Sequence, residues 1–173
     1  MTNHAETPTV QAGKKVSRRA LLRLGCAGVV VAAAGAAGVL SQTDFMDRMQ
    51  GVTHTPLLTD ETAWSYADNT LTISLERLPQ LSQPGSALRL EASQLSEPLL
   101  LVHGVDDQFY VYLNKCTHSG RKIDLDGSGQ LTCCSVSQST FSYAGAVLDG
   151  PAKSALTTYT IEQTENQLLI TLA

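Results

Sequence analysis

From Leu71 onward the hydrophobic positions of the chain recur at every second residue. Leu71, Ile73 and Leu75 alternate with polar neighbours, and Leu88 and Leu90 do the same. That period places one face of a strand in a core and the other toward water. Residues 98–103 form a short apolar run. Gly104-Val105-Asp106-Asp107 supplies a turn and residues 109–113 return, which predicts a hairpin. Further strands are expected over 129–134, 140–143 and 146–148, with Ala144-Gly145 as a turn. A last hairpin, 157–163 with 167–172, turns at Glu165-Asn166. Only a short helix near residues 45–49 interrupts this pattern. Short strands with frequent turns predict an all-β domain, an antiparallel sandwich, over residues 70–173. Residues 41–69 read as a linker whose Trp64 and Tyr66 pack against that domain.

The first forty residues follow a different rule. Ser17-Arg18-Arg19-Ala20-Leu21-Leu22-Arg23 precedes a run without charge from Leu24 to Leu40, and Ser41-Gln42-Thr43-Asp44 is a polar exit. A basic region, an apolar stretch and a polar exit make a targeting segment. Its S-R-R-x-L-L pattern resembles the twin-arginine export motif, whose pathway carries folded proteins and so suits those that acquire a metal cofactor in the cytoplasm. Ala34-Gly35-Ala36 is a passable cleavage site. The seventeen uncharged residues lie at the short end of a membrane span. The segment is thus either cut or kept as an anchor. In both cases the body of the chain is expected outside the cytoplasmic membrane, periplasmic or held to its outer side. Arg23 weakens a lipoprotein reading through Cys26, because an aliphatic residue is wanted there.

Charge supports this division. Residues 1–40 carry five basic residues and one acid, net +4, whereas 41–173 carry seven basic and fifteen acidic residues, net −8. A basic leader before an acidic body argues for targeting and against nucleic-acid binding. The acidic surface is either a steering field toward basic partners or simply solvated.

The chemistry gathers in two loops. The first, Cys116-Thr117-His118-Ser119-Gly120-Arg121, follows the strand at 109–113. The second, Cys133-Cys134-Ser135-Val136-Ser137-Gln138-Ser139-Thr140-Phe141, ends the next strand. Three cysteines within nineteen residues are too clustered for a general disulfide framework. They point to local metal chemistry or one local bridge. Thiolate and imidazole two residues apart can each bind metal from one side of a loop. A zinc site from Cys116, His118, Cys133 and Cys134 would lack the usual C-x-x-C knuckles. His103 falls in a predicted strand, half-exposed; His54 lies in the linker and His4 in the leader. No Ser–His–Asp arrangement, phosphate loop or carboxylate pair is apparent.

Here the chain resembles the Rieske family, whose pattern is C-x-H followed some fifteen residues later by C-x-x-H. Cys116, His118 and Cys134 match the first three ligands. Thr117 and Gly120 fit the C-T-H-x-G loop. Ser139-Thr140-Phe141 fits the G-S-x-F that follows the second pair, with Gln138 at its glycine. Leu148-Asp149-Gly150-Pro151-Ala152 resembles the proline loop that covers the cluster. The resemblance implies a [2Fe–2S] cluster held by Cys116, His118 and Cys134, with Cys133 as a further candidate. The position of the fourth ligand, a histidine in the family, is Ser137. Arg121 and Val136 stand where respiratory members carry a disulfide between the loops. Cys133 has no counterpart in the family pattern. As a bystander it would be a buried small apolar residue, or half of a disulfide, either vicinal or with Cys116.

Two functions follow as expectations. One is an electron-transfer subunit of a membrane-associated oxidoreductase, not itself catalytic, whose partner is a redox subunit, a quinol or a cytochrome. The other is a cluster-free Rieske fold kept as a structural or interaction subunit, which Ser137 favours and Cys116, His118 and Cys134 oppose.

Overall fold

The computed structural model describes residues 42–172. The leader, with its arginine pair, apolar run, Cys26 and His4, lies outside the described residues. No helix among those described is long and apolar enough to cross a membrane.

Among the described residues one α-helix, α1 (Gln42–Gln50), covers the short helix expected near 45–49. Eleven strands follow: β1 (Trp64–Ala67), β2 (Thr70–Ser74), β3 (Ser86–Leu90), β4 (Leu99–His103), β5 (Phe109–Leu113), β6 (Ile123–Leu125), β7 (Leu131–Cys133), β8 (Thr140–Phe141), β9 (Val147–Asp149), β10 (Thr160–Gln163) and β11 (Gln167–Thr171). They form three antiparallel sheets, ordered β1-β2-β11-β10, β3-β4-β5 and β6-β7-β8-β9. The all-β antiparallel expectation is met. The stretch 41–69 contains α1, a 3-10 turn at Glu61–Ala63 and strand β1, which pairs with β2 from Trp64↔Ile73 to Ala67↔Thr70.

The period-two pattern explains how the layers meet. Leu71 and Ile73 of β2, with Leu168 and Ile170 of β11, face a first core together with Leu88, Leu90, Leu99, Leu101 and Val111. Every residue of β4 is buried, so both faces of the middle sheet are used. Leu99 and Leu101 serve the first core. Leu100 and Val102 serve a second, with Tyr112, Ile123, Leu131 and Phe141. A strand buried on both faces reads as a continuous apolar run, as 98–103 does. Truncating one of its leucines to alanine would cost about 2–5 kcal/mol.

The hairpin β4–β5 is in the register His103↔Phe109, and its turn closes with Gly104 N–H donating to the Gln108 carbonyl at 2.8 Å. His103 is not half-exposed but buried. Its ring stacks on Phe109 at 4.3 Å between centroids. Nδ1 meets the Leu81 carbonyl and Nε2 the Asp107 carboxylate, both at 2.8 Å. Each ring nitrogen thus has an acceptor within hydrogen-bond distance, so the buried ring's N–H has a partner in either tautomer.

Candidate functional site

Three loops converge beyond the second core. The first joins β5 to β6 and folds back on Cys116. Its N–H donates to the Arg121 carbonyl at 2.7 Å, and Gly120 N–H donates to the Cys116 carbonyl at 2.8 Å. The second joins β7 to β8. Cys133 N–H donates to the Ser139 carbonyl at 2.9 Å, and Cys134 N–H donates to the Lys122 carbonyl at 2.9 Å, which ties the two loops together. The third follows β9. Ala152 N–H donates to Ser139 Oγ at 3.0 Å, and Thr117 Oγ1 donates to the Ser154 carbonyl at 2.7 Å. The proline loop therefore covers the other two.

Close approach makes this packing specific. Gly150 has φ +89°, and a Cβ there would lie 2.0 Å from the Gln138 carbonyl oxygen. Gln138 itself has φ +26°, a left-handed conformation that favours glycine. That is the position where the family pattern has glycine.

Side-chain direction is set by the β6–β7 pairing. Ile123 faces Cys133 and Asp124 faces Thr132. Because successive side chains alternate, Cys133 points with Ile123 into the second core, where Cys116 also lies. Cys116 is 2% and Cys133 1% exposed. Both thiols belong to the same buried cluster. Ser119 Oγ lies 3.4 Å from Cys133 Sγ, which in turn donates to Ser135 Oγ at 3.2 Å. Cys134 points the other way. Its Sγ donates to Asp124 Oδ2 at 3.2 Å and borders a cleft of about 270 Å³ lined also by Asp47, Arg48, His54 and Asp124. His118 and Ser137 are exposed. His54, exposed too, lies 3.7 Å from the Asp47 carboxylate.

These surroundings separate the three thiols electrically. Burial opposes ionisation of Cys116, but hydrogen bonds from Cys133, from the backbone N–H groups of His118 and Ser119 and from the Ser119 hydroxyl hold its pKa below the usual value. Burial, with Cys116 beside it, pushes Cys133 up. Burial and the Asp124 carboxylate push Cys134 far above the thiol range, so it is a protonated donor. Asp124 accepts from Thr53 Oγ1, from His54 N–H at 2.9 Å, from Thr55 N–H at 3.1 Å and from Cys134. Burial resists its ionisation, yet these donors lower its pKa overall.

Arg121 does work that the sequence pattern does not foretell. Its guanidinium donates to the Arg48 carbonyl at 2.7 Å and the Met49 carbonyl at 3.1 and 3.2 Å, at the C-terminal end of α1 where backbone carbonyls lack helical partners. It also reaches the Cys134 carbonyl at 3.4 Å. A charged side chain thus joins the loops where other branches use a disulfide. Beneath them Asn114 is fully buried. Its Oδ1 accepts from Ile123 N–H at 2.7 Å, while its Nδ2 is the one buried side-chain polar atom without a partner among the described residues.

Residues 78–160 match the family model described as the Rieske [2Fe-2S] domain. This stretch is a Rieske domain. Three solved structures illustrate its likeness to the fold. The cyanobacterial plasma-membrane Rieske protein PetC3 of Synechocystis PCC 6803 is 24% identical, over 56% of this chain and 93% of that one, with a TM-score of 0.45. A chain from the complex of reduced oxygenase and oxidised ferredoxin in carbazole 1,9a-dioxygenase is 23% identical, over 61% and 94%, with a TM-score of 0.48. The ferredoxin of carbazole 1,9a-dioxygenase from Nocardioides aromaticivorans IC177 is 18% identical, over 59% and 95%, with a TM-score of 0.46. No curated protein matches the chain.

A Rieske domain implies a [2Fe–2S] cluster and a role in electron transfer, with two thiolates on one iron and two imidazoles on the other. The buried thiol pair fits the first half, although its members are Cys116 and Cys133, with Cys134 turned to Asp124. The second half is incomplete: His118 offers one imidazole on the exposed first loop, whereas Ser137 stands where the second is expected. Among the described residues no group of three or more His, Cys, Asp or Glu is gathered around one point.

Proposed function

We propose that this chain is a cluster-free Rieske-fold structural or interaction subunit of a membrane-associated oxidoreductase. Its leader would carry it across a bacterial cytoplasmic membrane, leaving the domain periplasmic or anchored on the outer face. The three-loop tip would be its docking surface for a redox subunit, a quinol or a cytochrome. It is a partner to the catalytic subunit and not itself the catalyst. The observation that carries this reading is the closed pair Cys116–Cys133 under loops whose backbone bonds are complete, with Ser137 at the second imidazole position. A serine hydroxyl binds iron well only as an alkoxide, which adds negative charge to the site.

A second reading keeps a cluster on the same loops. The family match and the hydrogen-bond donors that favour a Cys116 thiolate support it. Iron and acid-labile sulfide analysis of the anaerobically purified full chain, with visible and low-temperature electron-resonance spectra, separates the two. The first reading expects a colourless, iron-free protein. Two irons and two sulfides per chain, with a brown colour, would overturn it in favour of the second.

A further inference from the structure

We propose that α1 is an interfacial helix, whose outward apolar face of Phe45, Met46 and Met49 inserts into the outer leaflet of the membrane that holds the leader. The inference rests on the reading that the leader is kept as an anchor.

The helix is turned the opposite way from one that serves only its own domain. A helix packed on a globular domain directs its apolar stripe inward and its charges to water. In Gln42–Gln50, Phe45, Met46 and Met49 fall within an arc of about 100°, with Asp44, Asp47 and Arg48 on the opposite side. Asp47 and Arg48 are the half-buried residues of the helix. With Asp44 they line the cleft that also holds His54 and Asp124. Phe45, Met46 and Met49 are 45%, 50% and 52% exposed. Bonds on the domain side fix this inversion. Arg121 donates to the Arg48 and Met49 carbonyls. Asp124 holds the segment just after the helix through Thr53, His54 and Thr55. The apolar face cannot roll inward without breaking these contacts.

Chain continuity selects the occupant. The uncharged run Leu24–Leu40 ends two residues before Gln42. Two residues of extended chain reach about 7 Å at most, so a bilayer holding that run lies against the first turn of α1. An amphipathic helix placed there lays its apolar face about 5–10 Å into the boundary between headgroups and acyl chains. Charge does not drive the contact. Residues 41–173 carry seven basic and fifteen acidic residues, net −8, which anionic lipid repels, and Arg48 of α1 is turned to the cleft. Attachment by burial is insensitive to salt, whereas steering toward a charged protein partner is screened. With α1 lying along the surface, the bonds through Arg121 and Asp124 hold the domain at a fixed orientation instead of letting it swing on a free tether.

The test uses the full chain reconstituted into phosphatidylcholine vesicles. Phe45→Trp in a Trp64→Phe background leaves one tryptophan, on α1, because the natural chain has only Trp64. Its fluorescence is read against lipid brominated near the top of the acyl chain and against iodide on both sides of the membrane. We expect strong quenching by the bromolipid, and iodide quenching about fivefold weaker than for free tryptophan. Raising the salt about tenfold should change the bromolipid quenching little. Adding Met46→Ser and Met49→Ser should lower that quenching at least about twofold and restore access to iodide. Bromolipid quenching that survives both serines overturns the inference, since the tether alone then accounts for it. A chain that floats with the vesicles while its tryptophan is quenched by iodide and not by bromolipid also overturns it, and leaves the anchored reading standing. Shielding from both quenchers overturns it in favour of a protein contact, such as a second copy of the chain. A chain that does not float with the vesicles overturns the anchored reading and the inference with it.

Discussion

Replacing Asp124 with asparagine tests whether the linker is bound to the site by charge. The carboxylate accepts backbone N–H bonds from His54 and Thr55, a hydroxyl bond from Thr53 and the Cys134 thiol. Hydrogen bonds to a charged acceptor contribute about 1.5–3 kcal/mol each, about twice a neutral bond. Asparagine keeps one carbonyl oxygen, and the exposed His54 N–H can turn to water. A net loss of about 2 kcal/mol follows, or a fall in melting temperature of about 6–10 °C for a domain of this size. The sign of the pH dependence is fixed as well. The folded-state pKa of Asp124 is lowered relative to an unfolded value of about 3.9. Its stabilisation is therefore fully present above that value and is lost as pH falls through the lower folded pKa. Urea melts of both proteins from pH 7 to pH 3 should show a constant difference at the upper end that narrows at the acid end. A difference below about 0.5 kcal/mol at pH 7, or one that stays constant down to pH 3, would refute the argument.

Gly150→Ala should destabilise the domain by about 3 kcal/mol or more, since it combines a left-handed φ with a Cβ driven against the Gln138 carbonyl; thermal melts that match the parent protein would mean the third loop does not press on the second. Changing Arg18 and Arg19 together to lysine should leave the full chain in the cytoplasm, as read by fractionation, because the twin-arginine receptor distinguishes arginine from lysine; continued export would assign the leader to the general secretory route.

Most of the sheet structure was legible because burial on one face writes itself as a period of two. The residues of β2 and the β4–β5 hairpin fall where the pattern put them. Two strands were not. Trp64–Ala67 alternates, but its small residues Ser65 and Ala67 dilute the signal, and it becomes β1 through pairing with β2. Ile123–Leu125 is three residues long with an aspartate at its centre, and its pairing with β7 makes it a strand. At the site, the loops were legible from C-T-H-x-G and the proline-loop residues. The directions of the cysteines were not, because they depend on a register between β6 and β7 that no local pattern records.

That register carries the functional question. A shift of one residue sends every side chain of a strand to the other face, and Cys133 and Cys134 differ by one. The spacing from Cys134 to Phe141 and the left-handed backbone at Gln138 follow the family pattern for Cys134, while the side chain lodged beside Cys116 belongs to Cys133. For Cys134 to act as a ligand, its thiol would have to leave Asp124 and turn inward, and Cys133 would have to vacate the core. The first change leaves a buried carboxylate with one donor fewer, and the second exposes a side chain now 1% accessible. Both costs are local and neither is offset by a second imidazole, since Ser137 supplies none. The arrangement of lowest cost therefore keeps Cys134 as a donor to Asp124 and leaves Cys116 and Cys133 together in the second core.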